Sequence, residues 1–193
     1  MGLDLVEFTL ALEESFALFL PDADAVTLTT PRKVIDYLEQ RLTPATSSQC
    51  LDQMAFYKVR RAGMQVLARP RDIFTPQAQW DQLLETKHQR RQWELVGQAT
   101  GLPKWPRLTL WGSFPRYVRT VGDTARHLAT TCPSALKGQA PAWTRAEITS
   151  VVTRLMDREL GVKEFDLDDR LSRTWGFRDA PSNKRLKLAA RVD

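Results

Sequence analysis

The sequence predicts an all-α protein, and three observations carry that prediction. Apolar residues recur three or four positions apart through much of the chain, which is the period of a helix with one buried face. Helix-start signals, a Thr followed by Pro or by an acidic residue, precede several of these stretches. No stretch alternates apolar and polar residues at the period of two that a half-buried strand shows. A chain of 193 residues can hold one medium domain or two small ones.

The first 42 residues predict two helices. The apolar stripe of the first helix lies within residues 3–16, at Leu5, Phe8, Leu12 and Phe16. Pro21 ends this segment, because proline cannot continue a helix. Thr30 can cap the second helix, and Pro31 suits its first position, where no amide donor is needed. Residues 43–49, rich in Thr, Ser and Pro, form the clearest linker.

The middle of the chain, residues 50–132, predicts a second helical unit. Helical spacing covers residues 50–67 and returns over residues 87–99, with Trp93 as a core position. The Pro-rich span of residues 102–115 is expected to be irregular, and Thr120 begins a further helix.

The end of the chain predicts one more helix. After a second soft linker at residues 133–141, Thr144 and Glu147 have the spacing of a capping box. The helix runs to Leu160 and stops at Gly161. The predicted segments are therefore residues 1–42, 50–132 and 143–176, with a basic tail at residues 177–193.

Charge is divided unevenly along the chain. The formal net charge is +5, but residues 1–42 hold 8 acidic and 3 basic residues and carry −5. The remaining residues therefore carry +10. Segments of opposite sign predict surfaces with different partners, or surfaces that face each other.

Parts of the chain resemble one another in an unusual order. Residues 30–38 and 120–128 each place a Thr cap eight positions before a Leu, and residues 67–74 and 160–167 each read as a helix end followed by a charged loop. The pattern predicts one continuous unit in residues 50–132 and a second unit split between the two chain ends.

The split unit resembles acyl carrier proteins. Residues 148–176 are similar to the family's opening helix and loop, which stops with Leu-Gly-Val. Residues 2–42 are similar to the rest of the bundle, through the pattern LDLVEF–ALEESF–TT–VIDYL. The resemblance implies acyl-carrier-like helical bundles, one continuous and one completed by both chain ends. The split unit forms within one permuted chain or by exchange between two copies in a domain-swapped homodimer.

The resemblance also implies a cofactor that this chain is expected to lack. In the family a serine at a helix N-terminus carries phosphopantetheine, because free amides there favour a phosphate. Gly2 occupies that position here and has no hydroxyl, and Met1 replaces the preceding aspartate. Two interpretations stay open: a relative that carries no cofactor, or a true carrier whose serine motif is lost through a misplaced start.

The predicted function is a non-catalytic, acyl-carrier-like protein-interaction module. Carrier proteins present an acidic helix to basic patches on their enzymes, so the resemblance implies docking through Asp4, Glu7, Glu13 and Glu14. The partners it implies are proteins, with fatty-acid or polyketide enzymes as examples. A solvated helix face is the simpler interpretation of the same charges.

A basic module that binds nucleic acid or an anionic surface is the rival function. It would use nine scattered arginines: Arg60, Arg61, Arg69, Arg71, Arg90, Arg91, Arg107, Arg116 and Arg119. No nucleic-acid motif accompanies them, which argues against nucleic acid.

Other classes of protein receive no support from composition. Two Cys and two His argue against a disulfide scaffold, a metal centre or a catalytic thiol, so no enzyme is predicted. No apolar stretch approaches the length of a membrane span and no signal peptide opens the chain, so a cytoplasmic location is expected. Of six Trp, Trp80 and Trp93 are expected in the core and Trp105 and Trp111 at an exposed contact.

Overall fold

The computed structural model describes residues 3–109 and 112–171, and it confirms the all-α class. The helices of these residues are α1 Leu3–Phe16, α2 Asp22–Ala25, α3 Pro31–Arg41, α4 Leu51–Leu67, α5 Trp80–Leu83, α6 Gln89–Thr100, α7 Val121–Thr131, α8 Pro133–Lys137 and α9 Arg145–Leu160. Two 3₁₀ turns lie at Arg71–Ile73 and Arg116–Val118. Two-residue strands, β1 Thr43–Pro44 and β2 Ala142–Trp143, pair in parallel with Thr43 opposite Ala142.

The predicted helix caps are confirmed. Thr30 accepts a hydrogen bond from the backbone N–H of Lys33 at 3.3 Å and begins α3. Thr120 and Thr144 each form a complete capping box, at α7 and α9 respectively. At the other ends, α4 and α9 are both followed by a left-handed residue, Ala68 at φ +49° and Gly161 at φ +68°.

The two ends of the chain pack on each other. Helix α9 lies against α1 and α3. Its buried face contributes Ile148, Val151, Val152, Leu155 and Met156, each at most 1% exposed. Burying a large aliphatic side chain stabilises a fold by about 1.5–3 kcal/mol, so α9 supplies much of the core for the first two long helices.

The central unit is built on α4, which lies against α6 and α7. Ala55 and Val59 of α4 are fully buried, and small residues let the helix approach its neighbours closely. A Cβ on Gly63 would lie 2.6 Å from a ring carbon of Phe74, so only glycine fits there. The core prediction for Trp80 and Trp93 is confirmed, since both are buried with ring centroids 5.1 Å apart.

Both units share one continuous core. Arg154 of α9 donates to Asp52 of α4 at 2.7 Å, and the buried Ser134 hydroxyl of α8 donates to the Ser15 carbonyl of α1 at 2.6 Å. The structure differs in part from the linker predicted at residues 133–141, because its first five residues form α8, Pro133–Lys137, and bury Leu136. Proline at the first position of α8 begins this helix, although proline elsewhere indicates a break.

In residues 3–109 and 112–171, no helix has the length and apolar character needed to cross a membrane.

Candidate functional site

The outer face of α1 is the strongest candidate for a functional surface. The inner face buries Phe8, Leu12 and Phe16 against the core. On the opposite side, Val6 and Leu10 lie one turn apart and remain 40% and 52% exposed. Large apolar side chains in this position are not needed for the core, and the exposed Glu7 lies three positions before Leu10, on a neighbouring part of the same helix face.

The four acidic residues predicted for docking have different environments. Asp4 and Glu7 are exposed, and neither forms an ion pair with any residue of the described ranges. Glu14 instead pairs with Lys104 of the central unit. Glu13 is half-buried, and its Oε1 accepts a hydrogen bond from the backbone N–H of Leu20 at 2.8 Å. We therefore name the exposed set Asp4, Val6, Glu7 and Leu10 the α1 surface, and its docking role stays a prediction.

The C-terminal end of α1 is held firmly in place. Ala17 follows the helix in the left-handed conformation at φ +52°, and the chain then turns back so that Leu20 reaches Glu13. Because the Glu14–Lys104 pair joins the same end to the central unit and the Ser15–Ser134 hydrogen bond joins it to α8, the α1 surface has a defined orientation.

An apolar cavity of about 140 Å³ lies behind the α1 surface. It opens between α1, α2 and the start of α3, and its apolar lining includes Leu5, Phe8, Leu20, Val26, Leu28 and Leu171. It is too small for a typical drug-sized ligand, for which pockets of about 300–1,000 Å³ are usual. Leu171 comes from the loop after α9, so this cavity exists only when both chain ends are assembled.

Polar contacts hold that loop against α3. Both side-chain oxygens of Asp168 accept from the Arg32 guanidinium, at 2.6 and 2.9 Å, and this pairing lowers the pKa of Asp168. The Arg32 N–H donates to the Leu167 carbonyl at 2.8 Å, and the Leu171 N–H donates to the Thr29 carbonyl at 2.7 Å. Helix α9 adds a further pair, in which Arg145 donates to Asp36 at 2.5 Å.

Glu147 forms a buried ion pair. The sequence predicted this residue only as part of the capping box that begins α9. Its Oε1 accepts from Lys137 Nζ at 2.9 Å and from the Gln49 N–H at 2.7 Å. Its Oε2 accepts from the Thr144 N–H at 2.8 Å and lies 3.2 Å from the Thr144 hydroxyl. Burial alone would raise the pKa of Glu147, but Lys137 and the two backbone amides outweigh it and hold the pKa below its ordinary value. This arrangement joins three segments and leaves no lone pair free for chemistry.

A larger cavity, of about 500 Å³, lies in the central unit beside α6. The Trp105 ring forms one wall and lies so close to Gly97 that a Cβ there would be 2.5 Å from an indole carbon. Arg107 and Glu94 also line the cavity. Trp105 is partly buried and packs on Trp93 with ring centroids 4.5 Å apart. It therefore packs against the core and does not form the exposed contact that was expected. Trp111 lies outside the described residues.

The cysteines and histidines lie in separate environments, and no hydrogen bond joins a cysteine to a histidine among the described residues. Cys50 is exposed, whereas Cys132 is buried, which raises the pKa of its thiol, and its Sγ contacts the Leu128 carbonyl at 3.3 Å. His127 packs on the Tyr117 ring at 4.9 Å, and burial, with a smaller effect from Arg158, lowers its pKa. Across residues 3–109 and 112–171, no group of three or more His, Cys, Asp or Glu side chains could hold a metal ion.

No protein-family model and no solved structure matches the chain. Gly2, which occupies the position of the carrier-family serine, lies outside the described residues.

Proposed function

We propose that this protein is an acyl-carrier-like interaction module that docks partner proteins through the α1 surface and carries no prosthetic group. One observation carries the proposal: Val6, Glu7 and Leu10 are exposed on α1, and neither Glu7 nor Asp4 forms an ion pair with the described residues. An apolar centre with unpaired acids at its edge suits a partner that offers a basic rim around an apolar patch.

The assembly of the chain ends supports the same proposal. The helix and loop that resemble the opening of a carrier protein pack against the segment that resembles its remainder. This packing is what a permuted carrier-like bundle requires, and it places α1 at the surface with its acidic side outward.

Loss of the attachment site distinguishes this proposal from a true carrier. Incubation of the full chain with a phosphopantetheinyl transferase and coenzyme A, followed by intact mass spectrometry, tests it directly. We expect the mass to stay unchanged, because Gly2 offers no hydroxyl for the phosphodiester. A gain of one phosphopantetheine would overturn this part of the proposal, and peptide mapping would identify the acceptor.

Docking is tested separately with a panel of fatty-acid and polyketide enzymes that use carrier proteins. Fluorescence anisotropy of the labelled chain measures each affinity. For a partner that binds, E7K should weaken binding by about tenfold, equivalent to about 1.4 kcal/mol, because it reverses one charge at the edge of the contact.

The matched control is E164K, which reverses an equally exposed acidic residue in the loop after α9. Equal affinities of the two variants would contradict docking through α1, as would the absence of binding across the whole panel.

A further inference from the structure

The outer face of α4 carries an aromatic and basic stripe, in which half-buried Phe56 borders the core and Tyr57 is exposed. Tyr57 is 44% exposed, and its hydroxyl pairs with Gln53 Nε2 at 3.0 Å. The Arg60 guanidinium lies 4.8 Å from the Tyr57 ring centroid and 5.1 Å from that of Phe56. Arg61 is exposed one turn beyond Tyr57. We name Phe56, Tyr57, Arg60 and Arg61 the α4 surface.

No acidic residue neutralises this surface within the described part of the chain. Arg60 and Arg61 form no ion pair there. The acidic residue of α4, Asp52, is engaged elsewhere, since both of its oxygens accept from Arg154, at 2.7 and 2.8 Å. Arg60 therefore stacks on the exposed Tyr57 ring and the half-buried Phe56 ring, and among the described residues no carboxylate pairs with Arg60 or with the exposed Arg61.

The α1 surface has the complementary character. It offers two exposed aliphatic side chains, Val6 and Leu10, one helical turn apart, and two exposed acids, Asp4 and Glu7, that pair with no cation of residues 3–109 and 112–171. On α4, the exposed aromatic Tyr57 and the cation Arg61 are likewise one turn apart. Two helix faces of this kind can bury their apolar residues against each other while carboxylates meet guanidinium groups.

We propose that the α4 surface of one copy binds the α1 surface of a second copy. The two surfaces belong to different packing units of the chain, so the contact is heterologous: each molecule uses one surface to bind and leaves its other surface available. A single pair of helix faces buries less than the roughly 1,200 Å² at which stable interfaces begin, so the complex is weak and transient. Its charge pairs make it sensitive to salt, because the Debye length shortens from about 10 Å at 0.1 M to about 3 Å at 1 M.

Charge reversal tests the pairing by sedimentation velocity on the full chain, at concentrations of about 10 to 500 μM chosen for a weak interface. The wild-type protein should show a sedimentation coefficient that rises with concentration in low salt and stays at the monomer value in 1 M salt. E7K alone and R61E alone should each remain monomeric, because each places like charges opposite one another.

Restoration is the decisive measurement. An equimolar mixture of E7K and R61E should associate, because each variant's altered surface then meets a complementary one. The double variant E7K/R61E should associate as the wild type does. The control variants E164K and R116E reverse exposed charges outside both surfaces and should behave as wild type. Circular dichroism melting checks that every variant is folded.

Three results would overturn the inference: a wild-type protein that is monomeric throughout the concentration range, association that survives either single reversal, and failure of the mixture to associate. The inference uses the α1 surface but does not rest on the carrier-like function. A wild-type protein that stays monomeric but binds a partner enzyme would overturn the self-association and leave the proposed function standing. A wild-type protein that self-associates but binds no enzyme of the panel would contradict the proposed function and leave the self-association standing.

Discussion

Removing the charge of Glu147 should destabilise the protein more than removing the charge of its partner Lys137. The two side chains are only 3% and 5% exposed, so an ion left alone there has little access to water. In E147Q the Lys137 ammonium remains buried without a counter-charge. Breaking a buried pair in this way costs about 3–5 kcal/mol, a large part of the roughly 5–15 kcal/mol that holds a typical domain folded.

K137M should destabilise the protein less than E147Q does, because the Glu147 carboxylate keeps most of its hydrogen-bond partners. The backbone amides of Gln49 and Thr144 still donate to Glu147, and methionine fills the volume of the lysine stem. The loss is then one charge-assisted hydrogen bond, about 1.5–3 kcal/mol. In the double variant E147Q/K137M no ion is left unpaired, so its cost should fall below the sum of the two single costs by at least about 1 kcal/mol.

Urea unfolding followed by circular dichroism at 222 nm measures all four free energies. For a chain of this length each kcal/mol corresponds to about 2–4 °C in melting temperature, so E147Q should lower it by about 6–20 °C. A cost for E147Q within about 0.5 kcal/mol of zero, or smaller than that of K137M, would refute the reasoning.

The same carboxylate predicts a dependence on pH. The pKa of Glu147 is lower in the folded than in the unfolded chain, so the native state binds fewer protons and stability is lost as pH falls below the ordinary value of about 4.3. The difference in stability between wild type and E147Q should shrink over that range. A difference that stays constant from neutral pH to about pH 3 would show that another group controls the acid transition.

Three further outcomes are expected. Deleting residues 143–193 should remove the amide protection of α1 and α3 in hydrogen exchange, because their core then lacks α9. Deleting only residues 172–193 should preserve that protection. Protection that survives the longer deletion would show that α9 does not complete the core of α1 and α3. G97A should lower the free energy of unfolding by about 1–3 kcal/mol and change the tryptophan fluorescence, because the new methyl group meets the Trp105 ring. An unchanged stability and an unchanged spectrum would contradict the close contact. The ring of His127 should titrate below about pH 6.5 by NMR because burial disfavours its charged form, and a value above that would contradict its burial.

Local sequence signals predicted the helices well because their causes lie within a few residues. A Thr side chain that caps a helix bonds to an amide three positions later, and Thr30, Thr120 and Thr144 could all be recognised in this way. The short helix α8 was missed, because the five residues Pro133–Lys137 are too few to show a helical period of apolar residues. Leu136 is buried because it packs into the shared core, which the local sequence does not reveal.

The candidate site was predictable only in part, because charge pairing depends on distant residues. The spacing of acids on α1 indicated an acidic helix but could not show that Glu14 pairs with Lys104, 90 residues away in the chain. Nor could it show that Glu13 bonds to the chain that turns back after α1. The aromatic and basic stripe of α4 was present in the sequence as Tyr57 and Arg61, but helical spacing alone could not show which of these side chains is exposed.

The packing of α9 on α1 and α3 sets the order in which the protein can mature during synthesis. Residues 3–41 leave the ribosome before α9, the helix they pack on, which begins only at Arg145. At about 5–20 residues per second, roughly 100 intervening residues take about 5–20 s to translate. Throughout that interval α1 and α3 lack α9, their main packing partner, while the intervening helices α4–α7 are already synthesised. Helices α1 and α3 can therefore reach their native packing only after α9 is made, and a chain released before then would expose their apolar faces to chaperones and proteases.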